Sequence, residues 1–409
     1  MTAPDDLVQV VRDLLTGQTG MPVEEIHRLE PVYGTTVFRC TMARPFDDLG
    51  ESVIVKRGRG AGEFRSEAAM MQNEIAALRF LTANELPFGP RFITCDIEAG
   101  IVVMEDLGDG PSLEDLLFDD DPRAAIDGLV AFGTALGELH AATAGHADAF
   151  LTAQGQQGSG WIGSEAVGPM GTSYRSSWEA LRTSIGAHPG LPQPRDVRPD
   201  IDAMLLTLAP TAPYLAMTNG DPCPANTRFA SGVLRFLDFE MATFHHALLD
   251  LTALHMPFPA CPCWSLMPDD AAAPAIQAWR DAFVRHHPGV LDDEEYFAGV
   301  AAACLARAIV RSLRWTRLDA ADEPHPVGFT KRAQLVATID AAVRVAQRSE
   351  ALSALTAWFA VLSEALKVRW STAPLPRTVF PAFAIACPDL RPGMLPPVPD
   401  SEGGFRDRR

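Results

Sequence analysis

Leu7, Val8, Val10, Val11, Leu14 and Leu15 recur with the spacing of one helical face, and Gly17 ends the run. The pattern then shifts to short apolar segments. Residues 26–33 and 36–42 read as strands around Gly34-Thr35, and the β-branched run 52–56 (Ser-Val-Ile-Val-Lys) reads as a third. A glycine-rich loop at 58–62 leads into a helix over about 66–84, with Met70, Ile75, Leu78 and Leu81 near one face. Two further strands, 91–97 and 101–105, meet at Ala99-Gly100. The pattern therefore predicts a five-stranded, mostly antiparallel sheet with one inserted helix.

After Leu107-Gly108 the periodicity lengthens. Residues 124–144 form a long helical pattern, 154–164 is a Gly- and Gln-rich loop, and 214–217 is a short apolar strand. From Leu248 onward the chain is largely helical, with Ala-rich periodic stretches at 271–287, 293–319, 330–348 and 350–366. Residues 388–409 hold Pro, Gly and charge and read as a loose tail. No internal repeat is present. The expected class is α+β, with a β-rich lobe at 1–105, a hinge near 105–108, a helical lobe at 106–390 and a flexible tail at 391–409.

Composition narrows the function. The 409 residues are 47% hydrophobic, which excludes a disordered chain, and the net charge of −18 argues against a nucleic-acid binder. Residues 1–9 carry two Asp and no basic residue, unlike a secretory signal. The longest apolar stretch, 298–310, is interrupted by Arg307 and is too short to span a bilayer. A cytoplasmic chain with no membrane partner is expected, its seven cysteines free thiols. Cys261-Pro-Cys263 lies near His255, but one intervening residue is not the usual zinc spacing. Only three of the 34 basic residues are Lys: Lys56, Lys331 and Lys367. Where Arg serves nearly everywhere, a Lys at a specific place implies a need for a compact point charge.

The segment 217–250 carries the clearest chemistry. Thr218-Asn219-Gly220-Asp221-Pro222 is a turn sequence, and two short strand patterns, 226–229 and 233–237, flank Ala230-Ser231-Gly232. Folded about Gly232, that hairpin would set Asn226 opposite Asp238. Asp221 lies on the loop leading in, so three oxygen-bearing side chains would converge on a site suited to Mg²⁺. Asp-x4-Asn followed by an apolar strand ending Asp-Phe is also the order of kinase catalytic loops.

Gly220-Asp221-x4-Asn226, Leu237-Asp238-Phe239-Glu240 and Asp250-Leu251 resemble the aminoglycoside phosphotransferase and choline kinase-like family of small-molecule kinases. The resemblance covers about 26–252 and implies a bilobal protein-kinase-like fold. It implies that Lys56, in Val53-Ile-Val-Lys56, clamps nucleotide phosphates and that Glu74 pairs with it. Met104-Glu105-Asp106-Leu107 would receive the adenine, with Glu105 and Leu107 as its nucleotide contacts. Asn226 and Asp238 would hold Mg²⁺, and Asp221 would act as catalytic base toward the acceptor hydroxyl. Asp250 would anchor the loop, and His140, in Leu136-Gly-Glu-Leu139-His140, is read as a packed helix residue.

The cofactors implied are ATP or GTP with Mg²⁺, and the partner is a small hydroxyl compound: an aminoglycoside, sugar, nucleoside or amino alcohol. The chain departs from the family at Asn219, where a His is usual, which leaves a nucleotide-binding pseudokinase as the alternative. Tyr33-Gly34-Thr35-Thr36 is a sparse phosphate-covering loop. His245 and His246 are open between substrate contact and packing. Asp269-Asp270 and 292–295 lean toward a cationic acceptor, and the tryptophans at 264, 279, 315, 358 and 370 are candidates for its pocket or for the core.

Overall fold

In the computed structural model the chain opens with α1 (Pro4–Thr19), β1 (Val23–Leu29), β2 (Thr36–Met42), β3 (Ser52–Arg57), α2 (Glu67–Ala83), β4 (Phe92–Asp96) and β5 (Ile101–Glu105). The structure describes residues 4–29, 36–45, 49–58, 67–154, 167–168, 172–209, 213–287, 292–324, 329–371 and 379–384. The five strands form one antiparallel sheet in the order β1-β2-β3-β5-β4. β3 and β5 are central, and their side chains alternate between two cores. Val53, Val55, Ile101 and Val103 pack with Val11 and Leu15 of α1. Ile54, Val102 and Met104 join the main core with Ile75 and Leu78 of α2. Lys56 shares the parity of Ile54, so the pleat turns it toward α2.

The larger half begins with α3 (Leu113–Phe118), α4 (Pro122–Thr143) and α5 (Ala147–Gln154). Two-residue strands β6 (Val167–Gly168) and β7 (Thr172–Ser173) precede α6 (Tyr174–Gly186) and α7 (Arg198–Thr207). Four short strands follow: β8 (Leu215–Thr218), β9 (Thr227–Ala230), β10 (Val233–Phe236) and β11 (Thr243–His246). The rest is α8 (Leu248–His255), α9 (Asp269–His286), α10 (Asp293–Ser312), α11 (Trp315–Ala320), α12 (Lys331–Ala346) and α13 (Ser353–Arg369). α4 starts cleanly because Pro122 fits the first turn and the Asp121 carboxylate accepts the amides of Arg123 and Ala124. It runs along α9, while α10 packs against α8 and α12.

The α+β architecture expected from the pattern is present. Two expectations are corrected, the undivided helix over 293–319 and the free thiols. The helical pattern over 293–319 divides into α10 and α11 at Leu313-Arg314. The acidic runs are helix starts: Asp269 and Asp270 lie in the first turn of α9, and Asp292 caps α10, accepting the amide of Glu295. Acids there offset the partial positive charge of helix N-termini, which explains them without a cationic ligand. Cys223 and Cys261 form a disulfide, so the cysteines are not all free thiols. The five tryptophans are all buried, which makes them core. The loop residues Tyr33–Thr35, most of 58–62 and 154–164, and the tail lie outside the described residues. Among the described residues, no helix is long and apolar enough to cross a membrane.

Candidate active site

Lys56 meets two carboxylates where the sheet faces the end of β10. Its Nζ lies 2.7 Å and 2.9 Å from the Glu74 oxygens and 2.5 Å from Asp238 Oδ1. Glu74 is placed by the apolar face of α2, next to Ile75. Asn73, one residue earlier, secures the other side: its Nδ2 donates to the carbonyls of Ala242 at 2.6 Å and Glu240 at 3.1 Å. The side chain of α2 thereby holds the short 3-10 turn Phe239–Met241 that follows Asp238. Nothing in the sequence pattern singled out Asn73; its position beside the Lys-pairing Glu was the available signal.

The register of the β9–β10 hairpin differs from the expected one. Val233 pairs with Ala230 and Phe236 with Thr227, and the Leu237 amide donates to the Asn226 carbonyl at 2.8 Å. Asn226 is therefore level with Leu237, not Asp238. The turn is the two-residue loop Ser231-Gly232, both at positive φ (51° and 81°), so its centre falls between them and not on Gly232. Asp238 then leaves the strand in the left-handed region at φ 59°, which swings its carboxylate onto Lys56. Asp tolerates this conformation better than most residues.

The loop from Asn219 to Asn226 is tied down by α8. Asp250 accepts the amides of Asn219 at 2.6 Å and Gly220 at 3.2 Å. Gly220 sits at φ +80°, and a Cβ there would collide with the Met241 carbonyl. His140 is buried, 3.5 Å from Asp250, and its Nδ1 accepts the Trp279 indole N–H at 3.0 Å. It is a packed residue, as the sequence reading had it. Asn219 bridges the loop: its Oδ1 accepts the Asp221 amide at 3.3 Å and its Nδ2 donates to the Leu237 carbonyl at 3.4 Å. An organising contact is thus made by Asn at the position where the family usually has His. Asn226 Nδ2 donates to the Asp221 carbonyl at 3.2 Å, which turns its amide oxygen away from that bond.

The electrostatics are lopsided. Burial disfavours the charged Lys56, yet Asp238, Glu74 and Glu240 overcome it and hold its pKa above the ordinary lysine value. Burial pushes the Glu74 carboxyl up, and Lys56 pulls against that. Asp221 is pushed up to about 6, first by burial and then by the charge of Asp238. Asp238, Glu74 and Glu240 thus face one ammonium, and Asp221 lies in the field of Asp238. Such an excess of negative charge, with the amide oxygen of Asn226 beside it, is a hard-oxygen donor set that fits Mg²⁺.

The remaining sequence candidates divide. Glu105 accepts the Arg91 amide at 3.0 Å and the Arg235 guanidinium at 3.1 Å, so its side chain serves the fold. Any contact it makes to a ligand is left to its backbone. Leu107 is half-buried just beyond β5. His245 and His246 are buried on β11, and burial lowers both to about 4. His246 stacks on Tyr214 with centroids 4.8 Å apart. Cys263 Sγ lies 2.8 Å from Cys261 Sγ, making a buried three-sulfur group with Cys223 that the unusual Cys-Pro-Cys spacing did not suggest.

Residues 46–291 match the model of APH, described as the phosphotransferase enzyme family. The chain belongs to that family. It carries the kinase-like phosphotransferase fold, with a small antiparallel sheet beside a larger helical half. Among solved structures it is similar to a choline/ethanolamine kinase family protein from Mesorhizobium loti (14% identity, 87% of this chain and 98% of that one, TM-score 0.48). It is also similar to a putative fructosamine-3-kinase from Thermobifida fusca (18% identity, 82% and 98%, TM-score 0.46). A third is the choline kinase LicA from Streptococcus pneumoniae (15% identity, 86% and 99%, TM-score 0.42). No curated protein matches the chain.

Proposed function

We propose that this phosphotransferase moves the γ-phosphoryl group of ATP, or GTP, to a hydroxyl of a small molecule. The observation that carries the reading is the nest in which Lys56 is shared by Glu74 and Asp238, with the half-buried Asp221 in the field of Asp238. Phosphoryl transfer asks a protein chiefly for positioning and for neutralising charge. Lys56 supplies a fixed cation for the α- and β-phosphates, and Glu74 positions it. The backbone of Glu105 to Leu107 receives the base. Asn226 and Asp238 would hold Mg²⁺, whose contribution when bound is to neutralise phosphate charge. Asp221 orients the acceptor hydroxyl and takes its proton as the oxygen bonds to the γ-phosphorus. The bond from that phosphorus to the β-bridging oxygen breaks, and the nucleoside diphosphate leaves.

The division of the chain at the hinge follows from the same reading, with residues 1–105 as nucleotide lobe and 106–390 as catalytic and acceptor lobe. The test is nucleoside diphosphate release with Mg-ATP across a panel of hydroxyl acceptors. Turnover with one acceptor class, lost in Asp221→Asn while nucleotide binding persists, is expected. Full turnover by Asp221→Asn would refute the base assignment.

A further inference from the structure

The strongest feature left unused is a basic pocket in a chain of net charge −18. Arg311, Arg314, Arg317, Lys331 and Gln334 line it, at the junction of α10, α11 and the start of α12. Arg307 lies one turn before Arg311 on α10. The spacing 307, 311, 314, 317 collects four guanidinium groups along one side of consecutive helices. Arg317 has its own counter-ion, Glu323, at 2.7 Å. The side chains of Arg307 and Arg311 make no hydrogen bond or ion pair with any described residue.

The pocket is joined to the catalytic loop. Gln334 donates to the Cys261 carbonyl at 3.3 Å, Cys261 is bonded to Cys223, and Cys223 lies two residues beyond Asp221. Gln334 also accepts from Lys331 Nζ at 3.1 Å, which fixes the ammonium at the pocket wall. α8, whose Asp250 holds the loop, packs directly on α10. Asp221 is the carboxylate whose field reaches both Arg307 and Arg311.

Crowding shows in the titration of the cations. Burial, Arg314 and Arg307 pull Arg311 down to about 9. Burial, Arg311 and Arg314 pull Lys331 down to about 8. Arg311 and Lys331 are held down by the cations beside them, and an anion bound there would relieve that repulsion. Guanidinium forks suit carboxylate and phosphate oxygens, and Lys331, in the first turn of α12, adds a point charge where the helix end is itself partly positive. The amides of that turn are already taken, by Glu323, Asp322 and Thr330, so the side chains do the binding.

We propose that the acceptor carries an anionic group, a carboxylate or a phosphate monoester, that docks on Arg311, Arg314 and Lys331 while its hydroxyl faces Asp221. The assignment rests on the phosphotransfer reading above and names its substrate class. It reverses the lean toward a cationic acceptor drawn from acidic runs that prove to be helix starts.

The test uses the full chain, with inorganic sulfate as probe and chloride at matched ionic strength as control. Sulfate should raise the melting temperature of the wild type saturably, and the rise should vanish in Arg311→Gln/Lys331→Gln. That variant should itself melt no lower than the wild type, because neutralising crowded cations relieves repulsion. Arg311→Lys, which keeps the charge and loses the fork, should show a reduced response and serves if the double variant does not fold. With Mg-ATP, hydroxy acids or sugar phosphates should turn over and choline, aminoglycosides and neutral sugars should not; the two anionic arms tell carboxylate from phosphate. The acceptor KM should rise at least about tenfold in Arg311→Gln, with the KM for ATP unchanged. An equal sulfate response in wild type and double variant, or turnover confined to cationic or neutral acceptors, overturns the proposal. Calorimetry of wild type with Mg-ATP separates the two layers. A chain that responds to sulfate but binds no nucleotide would refute the phosphotransfer reading, and the acceptor assignment with it.

Discussion

Lys56 and Lys331 are two of only three lysines in the chain, both withdrawn from bulk water, and their surroundings drive them in opposite directions. Lys56 sits among carboxylates that hold it charged against burial. Lys331 sits among arginines that add to the effect of burial, and it falls to about 8. The first ammonium belongs to a site with surplus negative charge, the second to one with surplus positive charge. Each surplus describes the ligand that would relieve it: a divalent metal cation at the first, an anion at the second. Burial alone says little about a charged group until its neighbours are counted.

Breaking the first site should have the largest effect. Lys56→Ala should lower turnover by about 10²–10³-fold or more, and Lys56→Arg should not restore it, because a planar fork does not replace a point charge. Leaving the buried Glu74 and the half-buried Asp238 without their partner should also cost about 3–5 kcal/mol in chemical denaturation. That loss should shrink as pH falls and the orphaned carboxylates take up protons.

Asp221→Asn should lower kcat by about 10²–10⁴-fold with nucleotide affinity retained. Its raised pKa gives a pH signature. The base is active only when ionised, so wild-type kcat/KM should fall tenfold per unit below about 6, and this limb should be absent from the residual activity of the variant. Asn73→Ala should act on stability, removing the donor shared by the Glu240 and Ala242 carbonyls at a cost of about 1–3 kcal/mol, measured by denaturant titration.

The smallest effect belongs to the second site. A lysine lowered to about 8 in the folded chain against 10.5 unfolded penalises folding fully below pH 8. The penalty is relieved as pH rises from 8 to 10.5, where the unfolded chain binds more protons. Lys331→Met should remove that rise and stabilise the protein at pH 7 by about 1 kcal/mol, since partial exposure screens the repulsion.

The two sites also differ in how legible they were. The first followed from local order: Lys56 ends a β-branched run, Glu74 lies on a helix face, and Asp221, Asn226 and Asp238 stand at turns. Even there, a one-residue error in placing the Ser231-Gly232 turn displaced Asn226, because hairpin register depends on which two residues take positive φ. β11 went unseen because its four residues are buried on both sides and show no alternation. The second site was hidden by the sum. A net charge of −18 and an Ala-rich helix obscured four arginines whose spacing, 307, 311, 314 and 317, could have been read. What could not be read was the packing of α10 on α8, since that contact joins distant segments. The Cys223–Cys261 bond is likewise a product of tertiary closure across 38 residues.

The central claim, that Lys56, Asp238, Asn226 and Asp221 surround one metal-bound triphosphate, is tested most directly by calorimetric titration of ATP with and without Mg²⁺. Wild type should bind at least about tenfold more tightly with Mg²⁺, and Asp238→Asn should abolish that difference. Affinity independent of Mg²⁺ in the wild type, or a Mg²⁺ dependence unchanged in Asp238→Asn, would contradict it.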